Sequence, residues 1–143
     1  MDIDAPTDTA LTRNHLKQLV HAFYADVRAD ERLGPVFDGA IGAHWDVHLE
    51  RMVEFWSTVM LGTHSFRGNV FGKHMALDGV QPDHFLRWLT LWHEHTSRLF
   101  EPAVARELQQ TAQGIARNLF AGFFDRFPTF VMEDDVAVDY RLD

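Results

Sequence analysis

The chain has 143 residues, 46% of them apolar and 13% aromatic, enough to bury the core of one compact domain and too few to argue for two. A formal net charge of −8, with no concentrated basic run, excludes nucleic acid and anionic membrane surfaces as expected partners, because nothing offsets the repulsion. The lack of cysteine excludes a disulfide framework and thiolate ligation of metals or clusters, which leaves histidine and carboxylate as ligand types. Residues 1–11 begin MDIDAPTDTA, acidic where a secretory leader would be basic and then apolar. No apolar run approaches membrane-spanning length, so the expectation is a cytoplasmic chain with a short N-terminal extension.

Apolar residues recur at helical spacing and almost never alternate in twos. From Thr12, an N-cap residue by type, Leu16, Val20, Phe23 and Val27 keep to steps of three and four. LGPVF (33 to 37) then reads as a stop, through Gly34 and Pro35. HWDVHLERMVEFWSTVML (44 to 61) sets Trp45, Leu49, Met52, Trp56 and Val59 on one stripe that also carries His48, and ends at Gly62. FRGNVFGKHMAL (66 to 77) is broken by glycines and holds only a short helical turn, with His74 in it. After the DGVQP turn, Pro82 opens a third long helix with Phe85, Trp88, Leu89, Trp92 and Leu99 inward. Pro102 opens a fourth, carrying Val104, Leu108, Ile115, Leu119 and Phe123. Residues 128–143 form an acidic tail, expected to be poorly ordered or laid on the surface. The fold class is all-α: four long amphipathic helices and one short turn.

A plain helical bundle accounts for those stripes without any ligand. Their polar content strains that account, because Tyr24, His48 and Trp88 each carry a polar atom that needs a partner when buried. Together they suggest a cavity with a few hydrogen-bonding groups aimed inward, the usual form of a small-ligand or cofactor site. Other metal arrangements are weaker. His44 and His48 stand four apart on one helix face, and HEH (93 to 95) adds Glu94, but His93 and His95 point about 200° apart on a helix. A di-iron bundle would need Glu-x-x-His pairs that are not present. His15, His21, His64 and His84 read as surface residues.

The order FY (23 to 24), LGPVF (33 to 37), HWDVHLERMVEFW (44 to 56), LG with the following F-R-G (61 to 68), KH (73 to 74) and FLRWL (85 to 89) resembles the truncated haemoglobins, and within them the third group. The resemblance spans roughly residues 12–127, and the paired-glycine motifs of the first two groups are absent. It implies a two-over-two helical sandwich around one haem b, with His74 as proximal iron ligand. It further implies Tyr24 and Trp88 as distal hydrogen-bond donors, with His48 as a distal histidine that acts more as a gate than as the main donor. Phe37, Met52, Phe55, Trp56, Leu77 and Phe85 would pack on the macrocycle, and Arg51 and Lys73 are candidates for its propionates. The departure from the family is the tail after Phe127.

Two functions follow from one such site. In the first, the haem iron reversibly holds O2, CO or NO, with Tyr24 and Trp88 slowing release. In the second, the same pocket is an enzyme that dioxygenates nitric oxide or reduces peroxide; the former needs a separate reductase, since this chain has no room for a flavin domain. A haem-free helical interaction protein is the third reading, and it predicts a colourless preparation.

Overall fold

The computed structural model describes residues 11–143. The expected N-terminal extension falls almost wholly on residues 1–10, outside the described part. Six helices and a terminal hairpin follow in chain order: α1 (Arg13–Ala29), α2 (Leu33–Ile41), α3 (Trp45–Leu61), α4 (Val70–Met75), α5 (Pro82–Leu99), α6 (Pro102–Phe124), β1 (Pro128–Glu133) and β2 (Val136–Leu142). The pairs α1/α3 and α5/α6 form the two layers, and α1 also packs on α5 and α2. No described helix is long and apolar enough to cross a membrane.

Each helix begins where its chemistry allows. Thr12 Oγ1 accepts from the His15 N–H at 3.2 Å, and His15 Nδ1 accepts from the Thr12 N–H, a reciprocal cap with histidine in the place usually held by Glu or Gln. Leu16, Leu19, Val20, Phe23 and Val27 of α1 are then fully buried. Asp30 closes α1 and starts α2: its carboxylate accepts from the N–H groups of Arg32 and Leu33, each at 3.0 Å, and from Arg87 of α5 at 2.6 Å. The LGPVF segment is therefore the start of a helix, which corrects the expected stop. Pro35 sits in the first turn, where backbone N–H groups have no intrahelical partner anyway. Gly34 lets α2 come against the end of α1, since a Cβ there would lie 2.7 Å from the Arg28 carbonyl oxygen.

Pro82 and Pro102 each occupy the first turn of their helix, as expected. Two residues expected to face inward, Val59 near the end of α3 and Leu99 at the end of α5, are 44% exposed, because both helices run past the core that their middles fill.

The tail is ordered, and it is sheet. β1 and β2 pair antiparallel, with Phe130 opposite Tyr140 and Met132 opposite Ala137, and with Val138 left over as a bulge between Val131 and Met132. The hairpin lies across α5 and α6. Its Ala137 N–H donates to Thr90 Oγ1 at 2.9 Å, Ser97 Oγ donates to Asp135, and Arg117 Nε donates to the Pro128 carbonyl. Phe130 and Tyr140 pack on Phe120 of α6.

Candidate functional site

All six described helices contribute to the lining of one apolar cavity that opens to solvent. Tyr24 comes from α1, Leu33, Val36 and Phe37 from α2, and Met52, Phe55 and Trp56 from α3. Val70 and His74 of α4, then Leu77 and Val80 of the following turn, line it further, as do His84, Phe85 and Trp88 of α5 and Ile115, Ala116, Leu119 and Phe123 of α6. The structure thus brings together Tyr24, Phe37, Met52, Phe55, Trp56, His74, Leu77, Phe85 and Trp88 of the expected set. The remaining three stand outside the lining. His48 packs edge-on against Tyr24 at 5.2 Å and against Trp45 at 5.5 Å, with Nε2 buried and without a partner among the described residues. Arg51 is exposed, donates to the Arg67 carbonyl at 3.0 Å and lies over the Phe66 ring. Lys73 is exposed beside His74.

α4 is only six residues long, and its start explains how so short a helix holds. The Asn69 side chain accepts from the Gly72 N–H at 2.9 Å, and a Cβ on residue 72 would fall 2.3 Å from Asn69 Nδ2. Gly72 thus makes room for the cap that fixes the turn. One turn on, His74 Nδ1 meets the Val70 carbonyl at 2.8 Å. A carbonyl only accepts, so Nδ1 carries the hydrogen, and Nε2 keeps a free lone pair.

His84 lines the same cavity, against the expectation of a surface residue. Its ring is set the opposite way, for Nδ1 accepts from the Gln81 N–H at 2.9 Å, which puts the proton on Nε2. His74 is therefore the lining histidine arranged to ligate, and His84 the one arranged to donate. The signal that could have located His84 was its place in the first turn of α5, one residue before buried Phe85.

Two further lining residues, Tyr24 and Trp88, carry hydrogen-bond donors. Among the described residues, neither the Tyr24 hydroxyl nor the Trp88 indole N–H has a hydrogen-bond partner, although Tyr24 is 94% buried (6% exposed). Burial pushes the Tyr24 phenol well above its ordinary range, so it stays an O–H donor at neutral pH. His48 moves the other way: burial, then the nearby His74 and Arg51, lower it to about 4, and it is neutral under ordinary conditions.

The other metal arrangements do not assemble at this cavity. His44 is exposed and His48 is half-buried against aromatic rings. Of the HEH run, His95 gathers with Asp26 and Glu94 between α1 and α5. There Arg98 donates to His95 Nδ1 and His95 Nε2 donates to Asp26, so that imidazole is fully partnered. His93 faces Gln113 instead.

The cavity offers one imidazole lone pair, a large apolar and aromatic wall and two idle donors. A bare cation needs several protein ligands, whereas a planar macrocycle that carries its own equatorial nitrogens needs one axial donor and apolar faces. The residues present fit the second.

No family model matches the chain. The group 3 truncated hemoglobin ctb of Campylobacter jejuni is 30% identical to it over 111 residues, which is 76% of this chain and 87% of that protein. The crystal structure of group III truncated hemoglobin from Campylobacter jejuni superposes with a TM-score of 0.77 at 28% identity, over 80% of this chain and 93% of that one. With the cavity, its single idle imidazole nitrogen and this similarity in both sequence and fold, the chain belongs to the group III truncated haemoglobins.

Proposed function

We propose that this chain binds haem b through His74 Nε2 and reversibly holds O2, CO or NO, with the Tyr24 O–H and the Trp88 N–H as donors to the gas. Haem, when bound, supplies an iron with a coordination position open to a diatomic ligand. The observation that carries the reading is the pairing, in one apolar cavity, of an imidazole with its lone pair held free by Val70 and two donors without partners. The Val70 hydrogen bond orients the His74 ring and raises its basicity as a ligand. Phe37, Met52, Phe55, Trp56, Leu77 and Phe85 exclude water from the macrocycle faces. His84, with its proton on Nε2, joins Arg51 and Lys73 as a candidate partner for the propionates, and of these it alone lines the cavity. His48, neutral and packed against the Tyr24 ring, positions that phenol and stands as the gate beside it.

The test is the absorption spectrum of purified protein, ferric and then dithionite-reduced with and without CO, for wild type and His74→Gly. A Soret band with a CO shift in wild type, lost in His74→Gly and restored by added imidazole, is the expected outcome. A wild type that stays colourless in the presence of haemin would overturn the reading.

A further inference from the structure

Trp56 and Trp88 both line the cavity, and Trp92 lies behind them, wholly buried. The Trp92 ring is parallel to that of Trp88, with 2° between planes and 6.0 Å between centroids. On Trp56 it stacks at 4.4 Å and 23°. Three indoles from α3 and α5 thus form one π stack, with Trp92 at its buried centre and the two outer rings, Trp56 and Trp88, at the cavity wall. Phe23 closes it at the side, perpendicular to Trp88 and to Trp92. Trp92 Nε1 donates to the Leu108 carbonyl at 3.1 Å.

Indole is among the side chains that give up one electron most readily, and the positive charge left behind is stabilised by adjacent π faces. A hydrogen bond from the indole N–H to a carbonyl strengthens as the ring becomes cationic, and the carbonyl is too weak a base to remove the proton. Burial keeps water from attacking the oxidised ring. Trp92 has all three conditions. Trp45 is also buried, but its N–H donates to the Asp38 carboxylate, which is base enough to take the proton of an oxidised indole, and the Arg28 guanidinium 4.5 Å from its centroid opposes a second positive charge. A phenol must lose its proton on oxidation, and Tyr24 has no acceptor for it among the described residues.

We propose that the Trp56–Trp92–Trp88 stack is a one-electron redox site that supplies an electron when the haem-loaded protein meets hydrogen peroxide, and holds the resulting indole radical cation on Trp92. This rests on the haem reading above. Hydrogen peroxide becomes two waters by taking two electrons and two protons. Bound haem would supply one of these electrons, the stack supplies the other, and the protons come from solvent; no indole N–H bond breaks. With no exposed end beyond the cavity, the stack retains the oxidising equivalent until a small electron donor reaches the cavity.

The experiment mixes ferric, haem-loaded protein with one equivalent of hydrogen peroxide, freeze-quenches it and records the electron paramagnetic resonance spectrum. Protein is made with natural amino acids, with ring-deuterated tryptophan and with ring-deuterated tyrosine. A radical signal narrowed only by labelled tryptophan, lost in Trp92→Phe and kept in Trp45→Phe is the expected result. A signal that follows labelled tyrosine, or one unchanged in Trp92→Phe, overturns the proposal, as does the lack of any radical in protein that shows a Soret band. Should Trp92→Phe not fold, the two labels and Trp56→Phe, expected to lose or shorten the signal, decide the matter. Failure to take up haemin at all is read from the Soret region before peroxide is added; it defeats the haem reading itself, and the proposal with it.

Discussion

A ligating histidine must keep one nitrogen free, and here backbone carbonyls and amides decide which. The Val70 carbonyl holds the proton of His74 on Nδ1, whereas the Gln81 amide drives that of His84 to Nε2. Motif order was enough to single out His74, Tyr24 and Trp88 in the sequence. His84 was not legible, because a histidine in a helix's first turn has the look of a cap, and it is one, while its other edge faces the cavity. For the proposed distal donors, Tyr24→Phe and Trp88→Phe should each speed oxygen release about tenfold or more, since a hydrogen bond to a charged group is worth roughly 1.5–3 kcal/mol. Stopped-flow displacement of oxygen by CO measures this, and rates unchanged in both variants would remove the proposed roles. Ser57 gives a contrary case at the same scale. Its hydroxyl is fully buried without a partner among the described residues, so Ser57→Ala should leave the melting temperature unchanged or raise stability by about 1 kcal/mol; a clear loss would mean that the hydroxyl is satisfied.

At the level of elements, LGPVF departs from the expected stop, and the tail, laid on the surface as one of its two expectations had it, is strand rather than irregular, each for a physical reason. Gly34 and Pro35 break helices in their interiors, but LGPVF lies at a first turn, where the same residues are allowed. What fixed that boundary was Asp30, whose long-range partner Arg87 cannot be inferred from local spacing. The strands of the tail are hidden by their period: β2 turns Ala137 and Tyr140 toward the helices, three residues apart, because the Val138 bulge interrupts the alternation. Asp30→Ala should cost about 2 kcal/mol, through one lost cap and a broken, half-buried ion pair, as read by urea unfolding. Burial alone would raise the Asp30 carboxyl, but Arg87 and the two backbone amides outweigh it and hold it below the ordinary range. Its stabilisation is therefore complete above about pH 4, the unfolded value, and is lost as pH falls through the folded one. His93 is depressed mainly by burial. The unfolded chain takes up that proton near pH 6.5 and the folded chain does so only lower, so stability starts to fall below about pH 6.5. Melting temperatures between pH 7 and 5 should decline less steeply in His93→Gln than in wild type. Equal slopes would show that His93 titrates alike in both states.

Across the whole molecule, the hairpin joins the two helices of one layer. Thr90 and Ser97 of α5 and Arg117 and Phe120 of α6 hold it, and Thr90 lies only two residues from Trp88. Tyr140→Ala should cost about 2 kcal/mol by removing half-buried aromatic contact with Phe120, and should raise amide exchange across β1 and β2 before the helices respond. Uniform exchange through hairpin and helices would show that they open as one unit. The all-α class was readable because helical periodicity runs through most of the chain. The layer contacts, by contrast, arise between residues far apart in sequence. The same indole arrangement that defines the cavity's inner wall also determines what light reports. Trp56, Trp88 and Trp92 behave as one coupled chromophore, and Trp45 stands apart against Arg28. Intrinsic fluorescence should thus resolve into two populations. Unfolding followed at the emission maximum then tracks the parting of α3 from α5, and a single-tryptophan variant retaining Trp45 would instead watch the junction of α1 with α3.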